Sequence, residues 1–392
     1  MRVAEAECWK APRPAPPRYA ASMPIATGNS VSAEQQLAFL RRISRILDEG
    51  KFTSTYKFAM LLALTNIAVT QGDDSGKSLE VDLDDVAREF VKLYWGMAKP
   101  YPSLGEELLM QNRERKKPAK VITLVAAHSA KSHGKHTRHR AYAPSAALLI
   151  SQTRKTIAKD VLYRLQNVGP TADGGTTKAD RFIYDHPPDA ASCATLKAIT
   201  LKPGVAACMR SLRGVIAAIV QARWAQWVRE HNPSLGADRG LEGFMFGADR
   251  APVREYAGWL YEIQNGKCFY TGKKLASPAA GEVDHFIPWS RYALDGPVNL
   301  VLASKPANVD KSDHIAGTEH LKSWATRNDK LQLPEAAVAR ATPGALSADW
   351  HIARSVAAWL YEAAERDQAQ AWQSMGEFGK LDGTWRRCLA AG

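Results

Sequence analysis

The sequence predicts a mainly α-helical protein, α+β overall, with one small unit made of two β-strands and a helix. Two observations support the helical part: apolar residues recur three and four positions apart through residues 32–95, and residues 204–232 are a strongly apolar stretch that predicts one long helix. A third observation supports the small unit. Between residues 267 and 311 the apolar runs shorten and are separated by Gly, Pro and Asp, which is typical of strands and turns.

Start and stop signals place the first helices. Ser32 is the predicted N-cap of a helix that ends at Gly50, because a serine hydroxyl accepts a free backbone N–H and glycine commonly ends helices. A second, very apolar helix is predicted at 54–70, and we expect Asp82 or Asp84 to open a third. The apolar spacing in these helices predicts a packed helical core rather than a binding site.

Changes in composition divide the chain into five predicted parts. The first is rich in Pro and Ala and lacks periodicity, so we expect it to be disordered, and Met23 within it is a candidate true start. The five parts are a disordered N-terminus at 1–28, a helical N-terminal domain at 30–110, a basic arm and helical middle region at 111–250, a β–β–α core at 251–320 and a C-terminal helical segment at 321–392.

Positive charge is concentrated in the middle of the chain. The formal net charge is +12, and residues 111–164 alone hold thirteen Lys and Arg against two acids, whereas residues 251–320 are nearly neutral. A localised basic block is typical of proteins that bind a polyanion, most often nucleic acid; a solvated charged face is the alternative. We expect the phosphate contacts of this arm to come from Lys131, Lys135, Arg138 and Arg140.

Several classes of protein do not fit the sequence. No run approaches the roughly 18 apolar residues of a membrane-spanning helix, and the N-terminus lacks the apolar core of a secretory signal. The five cysteines are odd in number and scattered, which argues against a disulfide scaffold and indicates a reducing compartment. We therefore expect a cytoplasmic protein without a membrane partner.

Polar residues with catalytic chemistry cluster between residues 282 and 313. Phosphodiester hydrolysis needs water activated by a base and a divalent cation beside the phosphate. His285 is a candidate base, since imidazoles exchange protons near neutral pH. Asp284 and Asn308 are candidate oxygen ligands, and two protein oxygens plus waters suit Mg²⁺. Lys311 follows Asn308 by three residues on the same helical face, where it would neutralise a phosphate.

The order and spacing of these residues resemble the HNH endonuclease motif, which forms a ββα-metal nuclease domain. The resemblance is to the His-Asn-Asn variety, as in the HNH domain of the RNA-guided CRISPR nucleases. The stretch "GKCFYTGKKL" also resembles the hairpin that precedes the motif in many members. The resemblance covers roughly residues 252–320, and the residues that carry it are Asp284, His285, Pro288, Asn299, Asn308 and Lys311.

The resemblance implies a role for each of four matching residues. His285 would be the general base, and Asn299 would orient its ring. Asp284 and Asn308 would bind the catalytic metal ion, Mg²⁺ or Mn²⁺. The resemblance thus implies that the predicted small unit at 251–320 is an HNH nuclease core.

One departure from the family concerns cysteine. Many HNH proteins hold a structural zinc ion with two Cys-x-x-Cys pairs. Here Thr271 stands where the partner of Cys268 would be, and no later pair exists. We therefore predict no structural zinc and expect Cys268 to be a small buried apolar residue.

The resemblance implies a metal-dependent HNH endonuclease that cuts DNA, one strand per active site. Arg291 is expected to contact the nucleic acid together with Lys311 and the basic arm. HNH domains joined to helical modules are common in prokaryotic antiphage defence, including Zorya-type systems, which implies a defence role and other defence proteins as partners. Two alternatives stay open: an RNA nuclease with the same site, and a nucleic-acid-binding assembly protein with a vestigial site.

The basic arm makes a first testable prediction. Neutralising Lys131, Lys135, Arg138 and Arg140 should weaken nucleic-acid binding and flatten its dependence on salt, because each phosphate contact releases counterions. The measurement is the binding constant of the wild type and of the neutralised protein over a range of salt concentrations. An unchanged salt slope would remove the arm from the binding surface.

Overall fold

The structure, a computed structural model, describes residues 31–113, 118–131, 146–169, 178–236, 238–247, 253–294, 296–331 and 350–390. The predicted disordered segment 1–28, with Met23, lies outside these residues. So do Lys135, Arg138 and Arg140 of the predicted arm, and of Lys131 the backbone alone is described.

Helices dominate the described chain and are accompanied by four two-stranded antiparallel sheets. The helices are α1 (Ala33–Glu49), α2 (Tyr56–Gln71), α3 (Leu83–Trp95), α4 (Lys120–Lys131), α5 (Ala147–Ile157), α6 (Ala190–Cys193), α7 (Val205–Ser211), α8 (Arg213–His231), α9 (Leu241–Phe246), α10 (Ala257–Ile263), α11 (Lys305–Lys311), α12 (Thr318–Leu331), α13 (Trp350–Arg366) and α14 (Trp385–Leu389). The strands are β1 (Leu79–Asp82), β2 (Asn167–Val168), β3 (Lys178–Ala179), β4 (Ala198–Leu201), β5 (Gly281–His285), β6 (Leu300–Ser304), β7 (Gln370–Ser374) and β8 (Glu377–Lys380). The sheets pair β1 with β4, β2 with β3, β5 with β6 and β7 with β8. The mainly α, α+β fold class is confirmed.

Local signals set the first helices as predicted. Ser32 caps α1 and forms a reciprocal capping box with Gln35, and the helix ends at Gly50. Asp82 opens α3 by accepting a hydrogen bond from the backbone N–H of Asp84 at 2.7 Å. These boundaries were predictable because a cap needs only residues that are neighbours in sequence.

One hydrophobic core extends from Val31 to Met245. Helix α2 lies at its centre and is buried on nearly all sides, with α3, α7 and α8 packed against it, and α1 packs on α7 and α8. The predicted boundary between residues 110 and 111 falls inside this continuous core. The helical N-terminal part and the middle region therefore pack as one body.

The apolar stretch 204–232 forms two helices instead of the single long helix that we predicted. Helices α7 and α8 meet at Leu212 with a bend of 81°. Because of the bend, both helices pack against α2. Among the described residues no single helix is long and apolar enough to cross a membrane, and this bent pair passes that test only when its two helices are taken together.

A second hydrophobic core contains β5, β6 and helices α10 to α14, together with Val69 from α2. The C-terminal segment belongs to this core, since Tyr361, Trp372 and Trp385 are fully buried in it. Residues 370–380, for which we predicted no strands, form the β7–β8 hairpin rather than a continuation of α13. Strand β7 also bonds to the chain just after α11, since the Trp372 N–H donates to the Ile315 carbonyl at 2.8 Å.

Arg210 joins the two cores. Its side chain is 5% exposed and donates to the carbonyls of Val69 and Gly72 at 2.8 and 2.9 Å. The same guanidinium pairs with Asp74 at 3.0 Å and with Glu362 of α13 at 3.2 Å. A buried guanidinium with all these acceptors fixes α13, and with it the second core, against α2 and α7.

Removing this guanidinium should therefore destabilise the whole protein. Arg210→Met leaves the Val69 and Gly72 carbonyls without their donor, and Asp74 and Glu362, which are partly exposed, without their cation. The free energy of unfolding should fall by about 2–4 kcal/mol, mostly from the unsatisfied carbonyls. Arg223→Met is the matched control, because Arg223 and its partner Asp48 are about half exposed; it should cost under about 1 kcal/mol. Chemical denaturation measures both, and equal losses would contradict the assigned role of Arg210.

Candidate active site

Strands β5 and β6 form a short antiparallel ladder, and helix α11 packs against both strands. Asp284 lies opposite Val301 and His285 opposite Leu300, and β6 runs directly into α11 through Ser304. Pro306 is in the first turn of α11, where proline is tolerated because the N–H it lacks would have no partner within the helix. The hairpin expected at residues 266–275 is a single bridge between Lys267 and Lys274, and the two-stranded ladder that precedes α11 is formed by β5 and β6 instead.

The segment that precedes the ladder makes a tight turn at Thr271 and Gly272. Gly272 has a φ of +67°, which favours glycine, and its N–H donates to the Cys268 carbonyl at 2.9 Å. The Cys268 sulfur, 1% exposed, accepts from the Ser304 N–H at 3.1 Å. This turn is thereby fastened to the end of β6.

Two pairs of side chains connect the strand to the helix. Glu282 and Asp284 are two residues apart on β5 and share a face, and Asn308 and Lys311 are three apart on α11 and share a face. The Asn308 amide nitrogen donates to Glu282 Oε2 at 2.9 Å. The Lys311 ammonium pairs with Asp284 Oδ2 at 3.0 Å. The two acids on β5 are therefore spaced so that each lies opposite its own partner on α11.

Asp284 is held by two partners on one oxygen. The Tyr270 hydroxyl donates to Oδ2 at 2.6 Å, and Lys311 contacts the same atom. Burial, and then the negative charge of Asp284, raises the pKa of Tyr270 well above its ordinary value, so this hydroxyl stays a donor. The described contacts of the carboxylate use Oδ2 and hold the group in a fixed orientation.

Lys311 is placed differently from our prediction. We expected its ammonium to neutralise a phosphate, but the side chain is fully buried. It donates to Asp284 Oδ2 and to the His285 carbonyl at 3.3 Å, and it lies 5.6 Å from the centre of the Tyr270 ring. A buried ammonium with these partners is not accessible to a phosphate in solvent.

Asn299 contacts the backbone of the loop that follows His285. Its Oδ1 accepts from the Ile287 N–H at 2.7 Å, and its Nδ2 donates to the carbonyls of Ile287 and Leu294 at 3.0 and 2.8 Å. The side chain is fully buried. We predicted that Asn299 orients the His285 ring. The hydrogen bonds in the structure instead connect Asn299 to the backbone of Ile287, two residues after that histidine.

His285 ends β5 and is half-buried. Directly after it the chain enters the core, where the Phe286 ring stacks on Trp324 with ring centres 4.6 Å apart. The backbone of His285 is fixed from both sides, by Lys311 at its own carbonyl and by the Phe286 N–H bond to the Asn299 carbonyl at 2.8 Å. The position of the candidate base is thus set by buried neighbours.

The donor set fits Mg²⁺ or Mn²⁺. Within the described ranges no group of three or more His, Cys, Asp and Glu could hold a metal ion, so a cage built from such residues alone is not found there. Asp284 and Asn308 offer a carboxylate and an amide, and Mg²⁺ is commonly bound by one or two protein oxygens while keeping several waters. Because the Asn308 nitrogen faces Glu282, its amide oxygen is the atom left to act as a ligand.

The loop after β5 carries Arg291, another predicted nucleic-acid contact. Arg291 is exposed, and its backbone carbonyl accepts from the Arg213 guanidinium at 3.2 Å. That guanidinium also lies 4.6 Å from the centre of the Tyr292 ring, so the loop carrying Arg291 is tied to α8. The side chains of the basic arm lie outside the described residues.

Sequence reasoning missed two residues of the cluster, Glu282 and Tyr270. Glu282 precedes Asp284 by two residues, so the alternation of side chains along a strand could have placed it on the same face. Tyr270 gives no such signal, because its partner lies fourteen residues away and depends on how the turn at Thr271 folds back.

Comparison with known families agrees with the geometry. A model of HNH endonuclease domains matches residues 268–316, which confirms the predicted HNH domain and spans Tyr270 through α11. A comparison with curated proteins gave no match.

Among solved structures, the Type II-C Cas9 enzyme from Actinomyces naeslundii is similar at 15% sequence identity, with a TM-score of 0.18. The alignment covers 86% of this chain and 43% of that protein, so the chain spans less than half of its length. At that TM-score the likeness supports no conclusion about fold or function.

The larger part of the chain matches a second family model. That model describes a domain of unknown function, DUF8808, and it covers residues 35–239. The match spans the first hydrophobic core almost from end to end. Since it includes just over half of the 392 residues, the chain belongs to the DUF8808 family, here with an HNH endonuclease domain following the family domain.

Proposed function

We propose that this protein is a metal-dependent endonuclease that hydrolyses phosphodiester bonds in DNA, with His285 as general base. The observation that carries the proposal is the packing of α11 against β5 through paired side chains. It holds Asp284 and Asn308, an acid and an amide, on facing elements beside the candidate base, within the segment that matches HNH endonucleases.

Asp284 and Asn308 would hold a divalent cation. When bound, that cation supplies Lewis-acid chemistry, neutralising charge that develops on the phosphate and stabilising the leaving oxygen. The remaining work belongs to the chain itself. Lys311 and Tyr270 hold the Asp284 carboxylate in one orientation, and their burial keeps that orientation independent of bound substrate.

His285 would accept the proton of the attacking water. A general base works only when it is held within hydrogen-bond reach of that water. The backbone contacts from Lys311 and Asn299 keep the end of β5 in place and so limit the movement of the imidazole. One such site cuts one strand.

Most of the contacts that hold the phosphate backbone of the substrate have to come from outside the HNH segment, because that segment is nearly neutral. Residues 111–164 carry most of the excess positive charge, and a basic surface attracts a phosphate backbone without regard to sequence. We propose that this region, with Arg291, holds the nucleic acid while β5 and α11 cut it.

The catalytic assignment predicts loss of cutting without loss of folding. Supercoiled plasmid with Mg²⁺ or Mn²⁺ should be nicked by the wild type, and chelation of the metal should stop the reaction. His285→Ala should lower the rate by about 10²–10⁴-fold, the usual contribution of a general base. His351→Ala is the matched control, since His351 is exposed on α13, and it should cut like the wild type.

Cutting by His285→Ala at the wild-type rate would refute the assignment of the base. A structured RNA of similar length, offered in the same assay, identifies the substrate. Cleavage of RNA with intact plasmid would move the proposal to an RNA nuclease with the same site.

The buried position of Lys311 makes a further prediction. Lys311→Met leaves the mostly buried Asp284 carboxylate without its cation, so the free energy of unfolding should fall by about 3–5 kcal/mol. Lys305→Met, on the exposed start of α11, should change it by no more than about 0.5 kcal/mol. Thermal and chemical denaturation measure both. Unchanged stability with a raised KM would instead support the phosphate contact that the sequence suggested.

A further inference from the structure

The geometry points to Glu282 as the residue that sets the orientation of the Asn308 amide, and so decides which atom of Asn308 faces the metal ion. This inference rests on the proposed function. Glu282 is a positioning residue in this account, acting through Asn308 rather than on the substrate. It lies two residues before Asp284 on the same face of β5.

An asparagine ligand has an orientation problem that an aspartate does not have. Its amide presents an oxygen at one end and an NH₂ group at the other, and only the oxygen can bind a cation. A rotation of about 180° about the last side-chain bond exchanges the two ends, and the two orientations have similar shapes. Some neighbour has to favour one of them.

Glu282 supplies that preference by charge. An ionised carboxylate only accepts hydrogen bonds, so it attracts the NH₂ end of the amide and repels the oxygen end. The Asn308 nitrogen lies 2.9 Å from Glu282 Oε2, and both side chains are half-buried. With the nitrogen engaged there, the oxygen is directed away from Glu282 and is available to a cation.

The helix that carries Asn308 is held independently of this bond. Lys311 ties α11 to Asp284, and Asp310 accepts from the Trp372 indole at 2.7 Å and from the Gly376 N–H at 2.8 Å. Changing Glu282 should therefore leave α11 in place and alter only the amide. This separation makes the inference testable.

The test is a double-mutant cycle read by Mn²⁺ affinity, measured from the electron paramagnetic resonance of free Mn²⁺ during titration. Glu282→Gln offers both a donor and an acceptor, so it no longer favours one amide orientation. We expect it to weaken Mn²⁺ binding by about 10–100-fold, the usual effect of losing a residue that orients a ligand. Glu319→Gln, on the exposed face of α12, should bind Mn²⁺ like the wild type.

The second arm of the cycle uses Asn308→Asp, which has two equivalent oxygens and needs no orienting. In that background Glu282→Gln should no longer weaken Mn²⁺ binding, and relief of charge repulsion should make it equal or stronger. Melting temperatures of all variants without metal should stay within a few degrees of their parents.

Each of the following results would overturn the inference. Wild-type affinity in Glu282→Gln would show that the amide needs no such partner. An equal loss in the Asn308→Asp background would make Glu282 a ligand itself or a general structural residue. If the wild type binds no Mn²⁺ and does not nick plasmid, this inference and the proposed function both fail. If the wild type nicks plasmid but the effects of Glu282→Gln and Asn308→Asp on Mn²⁺ affinity are independent, only this inference fails.

Discussion

The ion pair between Asp284 and Lys311 joins β5 to α11 where little water reaches either charge. Such a pair is stable only when both charges have good geometry and further hydrogen bonds. Both conditions are met, because Tyr270 donates to the same carboxylate oxygen and the His285 carbonyl accepts from the same ammonium. The strand, the helix and the turn at Thr271 are therefore fixed to one another by a single cluster. Because these contacts fix α11 relative to β5, Asn308 lies opposite Glu282.

The short HNH domain is embedded in a larger protein, and contacts from outside the domain hold its elements in place. Strand β5 and α11 together are short, and α11 has only seven residues. The C-terminal hairpin braces α11 through Asp310, and α12 covers the ladder through Trp324. Arg210 and Arg213 then connect this second core to the DUF8808 domain. The rigidity that a catalytic site requires is thus supplied by contacts outside the HNH segment.

Much of the site could be predicted from sequence because its residue types stand at fixed spacings along one strand, one loop and one short helix. The burial of Lys311 could not, since lysine is usually exposed and its partner Asp284 is twenty-seven residues away. The contacts of Asn299 are to backbone groups, which leave no trace in residue identity. The bend at Leu212 was missed although Gly214 follows it by two residues, because a single glycine within an apolar run is compatible with a continuing helix. The sequence predicts no strands at 370–380 because no helix stop precedes these residues, and the β7–β8 hairpin depends on its pairing with the chain after α11.

The most direct test of the central claim, that β5 and α11 together hold a hydrolytic metal ion, is anomalous scattering from Mn²⁺ in crystals of the His285→Ala protein bound to a DNA duplex. The account predicts one Mn²⁺ peak within bonding distance of an Asp284 oxygen and of the Asn308 amide oxygen, with a backbone phosphate beside it. A peak elsewhere, or DNA bound in the site with no metal between these two residues, would contradict it.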